Sequence, residues 1–131
     1  MGDPRTAHRY TPYFCEENIW WLARDLCTSG DAAERALVCL FSNSDASIAV
    51  LNQRAALPGH VMAWDYHVVL ACPTDTGFAV FDLDTLLPFP TPWPEYFRGT
   101  FPKQTQLPRR WRSWVRLIPV RSYLERFCSD R

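Results

Sequence analysis

Cys15 heads the run CEENIWWL (15–22), at a point where a helix is expected to begin. A helix N-terminus carries roughly half a positive charge and unpaired N–H donors, which draw a thiol pKa below its free value of about 8.5. Glu16 and Glu17 oppose thiolate formation by like charge unless they point away. Further on, His67 lies in WDYHVVL (64–70), and Asp82 and Asp84 lie in FDLDT (81–85). A nearby imidazole would take the thiol proton and a carboxylate would fix its tautomer. Amides at the same helix end could hold an oxyanion. This is the equipment of nucleophilic acyl chemistry. Structural roles compete for each residue: a packed thiol, a hydrogen-bonded core histidine, acids at a turn. A metal reading of Asp65, His67, Asp82 and Asp84 has no spacing that demands it, and no metal or cofactor is expected.

Positioning these groups falls to one helix and one hairpin. Ile19, Trp20, Leu22, Ala23, Leu26 and Cys27 recur at three- and four-residue steps, which predicts an amphipathic helix over 15–27, ended by TSGD (28–31). Strands are predicted at 36–42 and 47–52 around the polar turn 43–45, then at 61–72 and 78–85 around PTDTG. Alternation puts His67 on a face with Ala63, Asp65 and Val69, and Trp64, Tyr66 and Val68 on the other. If the turn centres between Asp75 and Thr76, His67 opposes Asp84; if it centres one residue earlier, in the sense of Thr74–Asp75, a shifted register opposes it to Asp82. The strand pattern leaves that choice open. LLPFPTPWP (86–94) must be an ordered extended loop, EYFRGTF a short helix, and 114–120 an edge strand because Pro119 cannot donate. SYLERFC (122–128) predicts a closing helix capped by Ser122. The order gives an α+β fold, one helix against a mainly antiparallel sheet.

At 131 residues, with 47% hydrophobic and 15% aromatic content, the chain suits a single packed domain at 13–131 behind a flexible arm at 1–12. Zero net charge gives no global pull toward nucleic acid or an anionic membrane, and neither is expected as a partner. The arginines of 109–116 read as a solvated basic face. Five cysteines without a C-x-x-C spacing, and an N-terminus without an apolar core, predict free thiols in a reducing, intracellular setting. MGDPRT fits the permissive myristoylation pattern, but Asp3 and Pro4 suit it poorly.

Three blocks, CEENIWWL (15–22), WDYHVVL (64–70) and FDLDTLLPFP (81–90), together resemble the protein N-terminal glutamine amidohydrolase family. SNSDASIAVLNQRA (42–55) and RSYLERFCSDR (121–131) resemble its connecting and later segments, so the likeness covers nearly all of 13–131. The resemblance implies a papain/transglutaminase-like fold and hydrolysis of the side-chain amide of an N-terminal glutamine, giving glutamate and ammonia through a thioester. It implies a role in the N-degron pathway, substrates with a free N-terminal glutamine, a monomer, and a cytoplasmic or nuclear location. It matches the nucleophile to Cys15, the histidine to His67 and the acid to Asp82. Asp65, Asp84, Glu16 and Glu17 are the carboxylates available for the substrate ammonium, with Asp65 favoured for sharing a strand face with His67. Family members continue past the SDR at 129–131, so the C-terminal segment is expected to be missing here. Two other readings are a thiol acyltransferase or protease with the same triad, and a binding module for N-terminal residues without turnover.

Overall fold

The structure, a computed structural model, describes residues 15–57 and 59–129, with side chains from 16 to 126. The 1–12 arm lies outside the described residues. Helix α1 (Cys15–Leu26) carries Glu16 and Glu17 in its first turn, where the macrodipole favours acids. Most of its apolar stripe is buried, namely Ile19, Trp20, Leu22, Ala23 and the following Cys27, while Leu26 at its end is exposed. A short helix follows, α2 (Gly30–Arg35), where the sequence predicted only a stop. It buries no side chain, so periodicity gave it no signal.

Five strands form one antiparallel sheet in the order β6-β5-β4-β1-β7. They are β1 (Leu37–Ser42), β4 (Tyr66–Thr74), β5 (Gly77–Phe81), β6 (Thr91–Pro92) and β7 (Trp114–Pro119). The predicted edge position of β7 holds, and Trp114, Val115 and Leu117 are exposed there. Two further strands, β2 (Ile48–Val50) and β3 (Met62–Trp64), pair only with each other, Ile48 opposite Trp64. The expected single strand over 61–72 is therefore broken at Asp65, and 36–42 does not pair with 47–52.

The sheet is covered on both faces, not one. Val38, Val68 and Leu70 face α1 and the closing helix α4 (Val120–Ser129), in a layer with Trp20, Leu22, Val120 and Tyr123. Cys39, Phe41, Val69, Ala71 and Val80 face the other way, against β2 and helix α3 (Trp93–Thr100) through Tyr96. That double burial explains why LVCLFS in β1 is apolar almost throughout instead of alternating. Helix α4 starts two residues before Ser122, because Val120 N–H bonds the Ala36 carbonyl and Val120 itself is buried. Among the described residues, no helix is long and apolar enough to cross a membrane.

Candidate active site

His67 follows the break at Asp65. Its Cα partner on β1 is Phe41, so its ring lies on the α3 side of the sheet. It is 1% exposed. The β4–β5 ladder starts from Thr74 opposite Gly77 and ends at Leu70 opposite Phe81. The turn thus centres between Asp75 and Thr76, the register that would oppose His67 to Asp84 if pairing continued. Pairing stops instead, and Asp82–Thr85 turns under the ring. Asp82 Oδ2 lies 2.8 Å from His67 Nε2, with Asp82 also 1% exposed.

The turn is held from across the fold. Arg54 N–H bonds the Asp84 carbonyl at 2.7 Å, Leu86 N–H bonds the Asn52 carbonyl at 2.7 Å, and Gln53 bridges to Thr85. Asn52 adopts a left-handed φ of 56°, and its side chain donates to the Gly99 carbonyl. Within the turn, Asp84 N–H donates to Asp82 Oδ1 at 2.8 Å.

Two residues at this site escaped the sequence reading. Tyr96 of α3, fully buried, donates its hydroxyl to Asp82 Oδ2 at 2.7 Å. Gln53, 1% exposed, reaches the same oxygen from Nε2 at 3.5 Å. Nothing in the spacing of EYFRGTF or NQRA marks them. The available signal was general: a tyrosine sunk in an apolar helix face needs a partner for its hydroxyl.

Electrostatics follow from this packing. Burial is the largest influence on His67 and disfavours its charged form. The charge and hydrogen bond of Asp82, with the charge of Asp84, outweigh it and hold the imidazole pKa above its ordinary value. Burial likewise opposes ionised Asp82, but the His67 charge and the bonds from His67, Tyr96 and Asp84 N–H hold its pKa below the usual carboxylate range. Tyr96 is pushed well up, chiefly by burial and then by the Asp82 charge, so it stays a donor. Replacing Tyr96 by phenylalanine is expected to cost about 1.5–3 kcal/mol, the worth of a hydrogen bond to a charged group. It would also leave more charge on Asp82 and raise the His67 pKa further. Urea unfolding and NMR titration of the ring protons check the two effects.

His67, Asp82 and Asp84 place donor atoms within 4.8 Å of one another, a set that could hold a cation. Here His67 Nε2 is engaged by Asp82 Oδ2, and both Asp82 oxygens accept hydrogen bonds, so an ion would have to displace the network. The arrangement suits proton transfer through Nδ1, the ring nitrogen that Asp82 does not hold.

The remaining predicted residues divide. Asp65 sits exposed at the break, so it does not share a strand face with His67. Trp64 was expected to pack away from His67; after the break it lies parallel to the imidazole, centroids 6.4 Å apart. Tyr66, expected in the core, is 40% exposed and its hydroxyl donates to Glu16 Oε1. Glu17 is half-buried in the first turn of α1, and Asp84 is half-buried at the turn below His67. Glu16 and Asp65 line one cavity of about 350 Å³ with Val38, Leu40, Val68 and Tyr123. That cavity lies on the α1 side of the sheet, lined also by Tyr66, while the imidazole lies on the other side of β4. The backbone of Cys15 is the first residue of α1; its thiol lies outside the described side chains.

A helix starting at Cys15, a buried His–Asp pair and, on the other face of β4, a cavity with two acids are the candidate chemical features of this α+β scaffold. The chain belongs to the N-terminal glutamine amidase family, whose model matches residues 10–131. It is similar to proteins named protein N-terminal glutamine amidohydrolase: 35% identical over 130 residues in Bos taurus, covering 98% of this chain and 63% of the relative. The Homo sapiens relative gives the same identity and coverages, and the Arabidopsis thaliana relative is 32% identical over 133 residues, covering 96% and 60%. The chain thus spans about three-fifths of the length of these curated relatives.

Proposed function

We propose that this chain hydrolyses the side-chain amide of an N-terminal glutamine, with Cys15 as nucleophile, His67 as acid and base, and Asp82 as the group that orients His67. The thiolate attacks the glutamine δ-carbon, amides at the start of α1 hold the oxyanion, and imidazolium Nδ1 gives its proton to the departing ammonia. Water, deprotonated by His67, then cleaves the γ-glutamyl thioester to the acid and restores the thiol. The observation that carries the reading is the buried Nε2–Oδ2 pair one residue from Tyr66, which itself clasps Glu16, the neighbour of Cys15. The chain neighbours of the two proposed groups, Glu16 and Tyr66, are thus joined side chain to side chain. From Tyr66 to Val69 the β5 side of β4 lies outside the β4–β5 ladder. The papain/transglutaminase-like arrangement and the role ahead of protein degradation belong to this same reading.

Glu16 and Asp65 are the carboxylates for the substrate ammonium, since both line the cavity at the start of α1. Asp65→Asn is expected to raise KM for Gln-starting peptides about 5- to 30-fold with kcat nearly unchanged, one charge-assisted hydrogen bond being worth about 1–2 kcal/mol at an open site. Steady-state kinetics check this; an unchanged KM would remove Asp65 from the role.

Mass spectrometry tests the function. A Gln-starting peptide should gain roughly one dalton, as –NH2 becomes –OH, while its N-acetylated form stays unchanged because substrate selection requires a charged ammonium. Conversion of the acetylated peptide, or cleavage of its backbone, would mean a general acyltransferase or protease. One observation favours a second reading, binding without turnover: the cavity and the imidazole lie on opposite sides of β4. Retention of the free peptide with no mass change would establish it.

A further inference from the structure

Two thiols meet far from the candidate site. Cys27, just past α1, and Cys72, on β4, place their Sγ atoms 3.7 Å apart, with one thiol hydrogen directed at the other sulfur. Each is fixed by its own element. Cys27 N–H bonds the Ala23 carbonyl at 2.8 Å, and Cys72 is paired with Ala79 of β5. Cys27 is 2% exposed, whereas Cys72 is half-buried and offers the pair a way to solvent. Cys39, the other thiol among the described side chains, contrasts with them: it is wholly buried and burial pushes its pKa up to about 12.

We propose that Cys27 and Cys72 form a reversible dithiol–disulfide site, oxidised by hydroperoxides. A covalent bond of roughly 2.05 Å needs the sulfurs to close by less than one further bond length, within the reach of side-chain rotation. Sharing of a proton prepares the pair. The hydrogen bond from Cys72 holds the Cys27 pKa down against burial, and the same bond, then burial, raises Cys72. Cys27 thiolate attacks a peroxide oxygen, the O–O bond breaks, and sulfenic acid and water leave the first step. Cys72 then attacks the sulfenic sulfur, and its proton departs with the hydroxyl as a second water. Two thiols lose two electrons, and one hydrogen peroxide becomes two waters. The bond would tie the end of α1 to β4, across 45 residues of chain.

The test uses the full chain, treated with hydrogen peroxide, blocked with N-ethylmaleimide in denaturant and digested with trypsin. Cleavage after Arg24, Arg35, Arg54 and Arg98 puts Cys27 and Cys72 alone in peptides 25–35 and 55–98. The expected product is these two peptides joined, two hydrogens lighter than their sum, and separated by dithiothreitol. Closing a loop of this length should raise Tm by about 5–10 °C, reversibly. Cys72→Ser should remove both the joined peptide and the Tm rise, leaving Cys27 open to a sulfenic-acid trap. Maleimide on both peptides after peroxide has been consumed, or either cysteine joined as often to other cysteines, would overturn the proposal. So would an oxidised chain with unchanged or lower Tm.

Discussion

Cys15→Ala is expected to abolish ammonia release from Gln-starting peptides while leaving the fold intact. Removing the nucleophile of a thiol or hydroxyl triad takes away the covalent route as a whole, a loss on the order of 10⁴–10⁶ in kcat. Serine should not rescue it, because a hydroxyl is far less acidic than a thiol and the half-charge of a helix start cannot ionise it at neutral pH. The helix itself has little to lose. Its docking rests on Ile19, Trp20, Leu22 and Ala23, all buried, and alanine has the best intrinsic helix propensity. Circular dichroism of Cys15→Ala should therefore show the parent's helix content. Hydroxylamine makes the test sharper. It should capture a γ-glutamyl group from the parent chain as a hydroxamate, and nothing from Cys15→Ala. A variant keeping more than a tenth of the parent turnover would remove Cys15 from the mechanism.

The pairing of His67 with Asp82 shows where local sequence stops being informative. Alternation correctly put the histidine and the acids in one neighbourhood, since a hairpin needs only a period of two and a turn. It could not choose the acid, because the choice is made where the ladder ends. Pairing ends at Leu70 and Phe81, and the next four residues follow bonds to 52–54, some thirty residues earlier. Continuation of the strand would have selected Asp84. Family likeness pointed to Asp82, and the geometry brings Asp82 to the ring. The break at Asp65 is of the same kind. MAWDYHVVL reads as one strand, but β3 pairs with β2 outside the main sheet, so alternation restarts and Trp64 lands parallel to the imidazole, while Tyr66 keeps the face opposite His67 but is left partly exposed. By contrast α1, β1 and β7 were legible, since an apolar stripe, a continuous apolar run and a proline each report directly on burial or pairing.

Asp82→Asn tests the pair more searchingly than deletion of the ring, because it keeps size and shape. Asp82 Oδ2 now accepts from His67 Nε2, Tyr96 and Gln53, and Oδ1 accepts from Asp84 N–H. An asparagine must turn its –NH2 toward one of these sets of donors. Facing His67, it would favour the tautomer protonated at Nδ1, which cannot act as base there. Facing Asp84 N–H, it would keep the tautomer but lose the charge that stabilises imidazolium. Either outcome lowers kcat by about 10²–10⁴. The pH dependence has a definite sign. With Asp82 neutral, burial dominates and the His67 pKa drops, so the alkaline limb of the rate profile moves to lower pH. Tyr96→Phe should move it the opposite way, which separates loss of charge from general loosening. Stability carries the same signature. Depressed Asp82 contributes stability that is present above its unfolded pKa of about 3.9 and lost as pH falls through its folded value. Raised His67 contributes stability that is present below about 6.5 and lost as pH rises through its folded value. The pair therefore stabilises most between about pH 4 and 6.5. Breaking it should cost about 3–5 kcal/mol in that window, both side chains being almost wholly buried. Urea unfolding across pH 3–8 reads this directly: the parent should show a maximum that the asparagine variant flattens, and parallel curves would deny Asp82 its role as the counter-charge of His67.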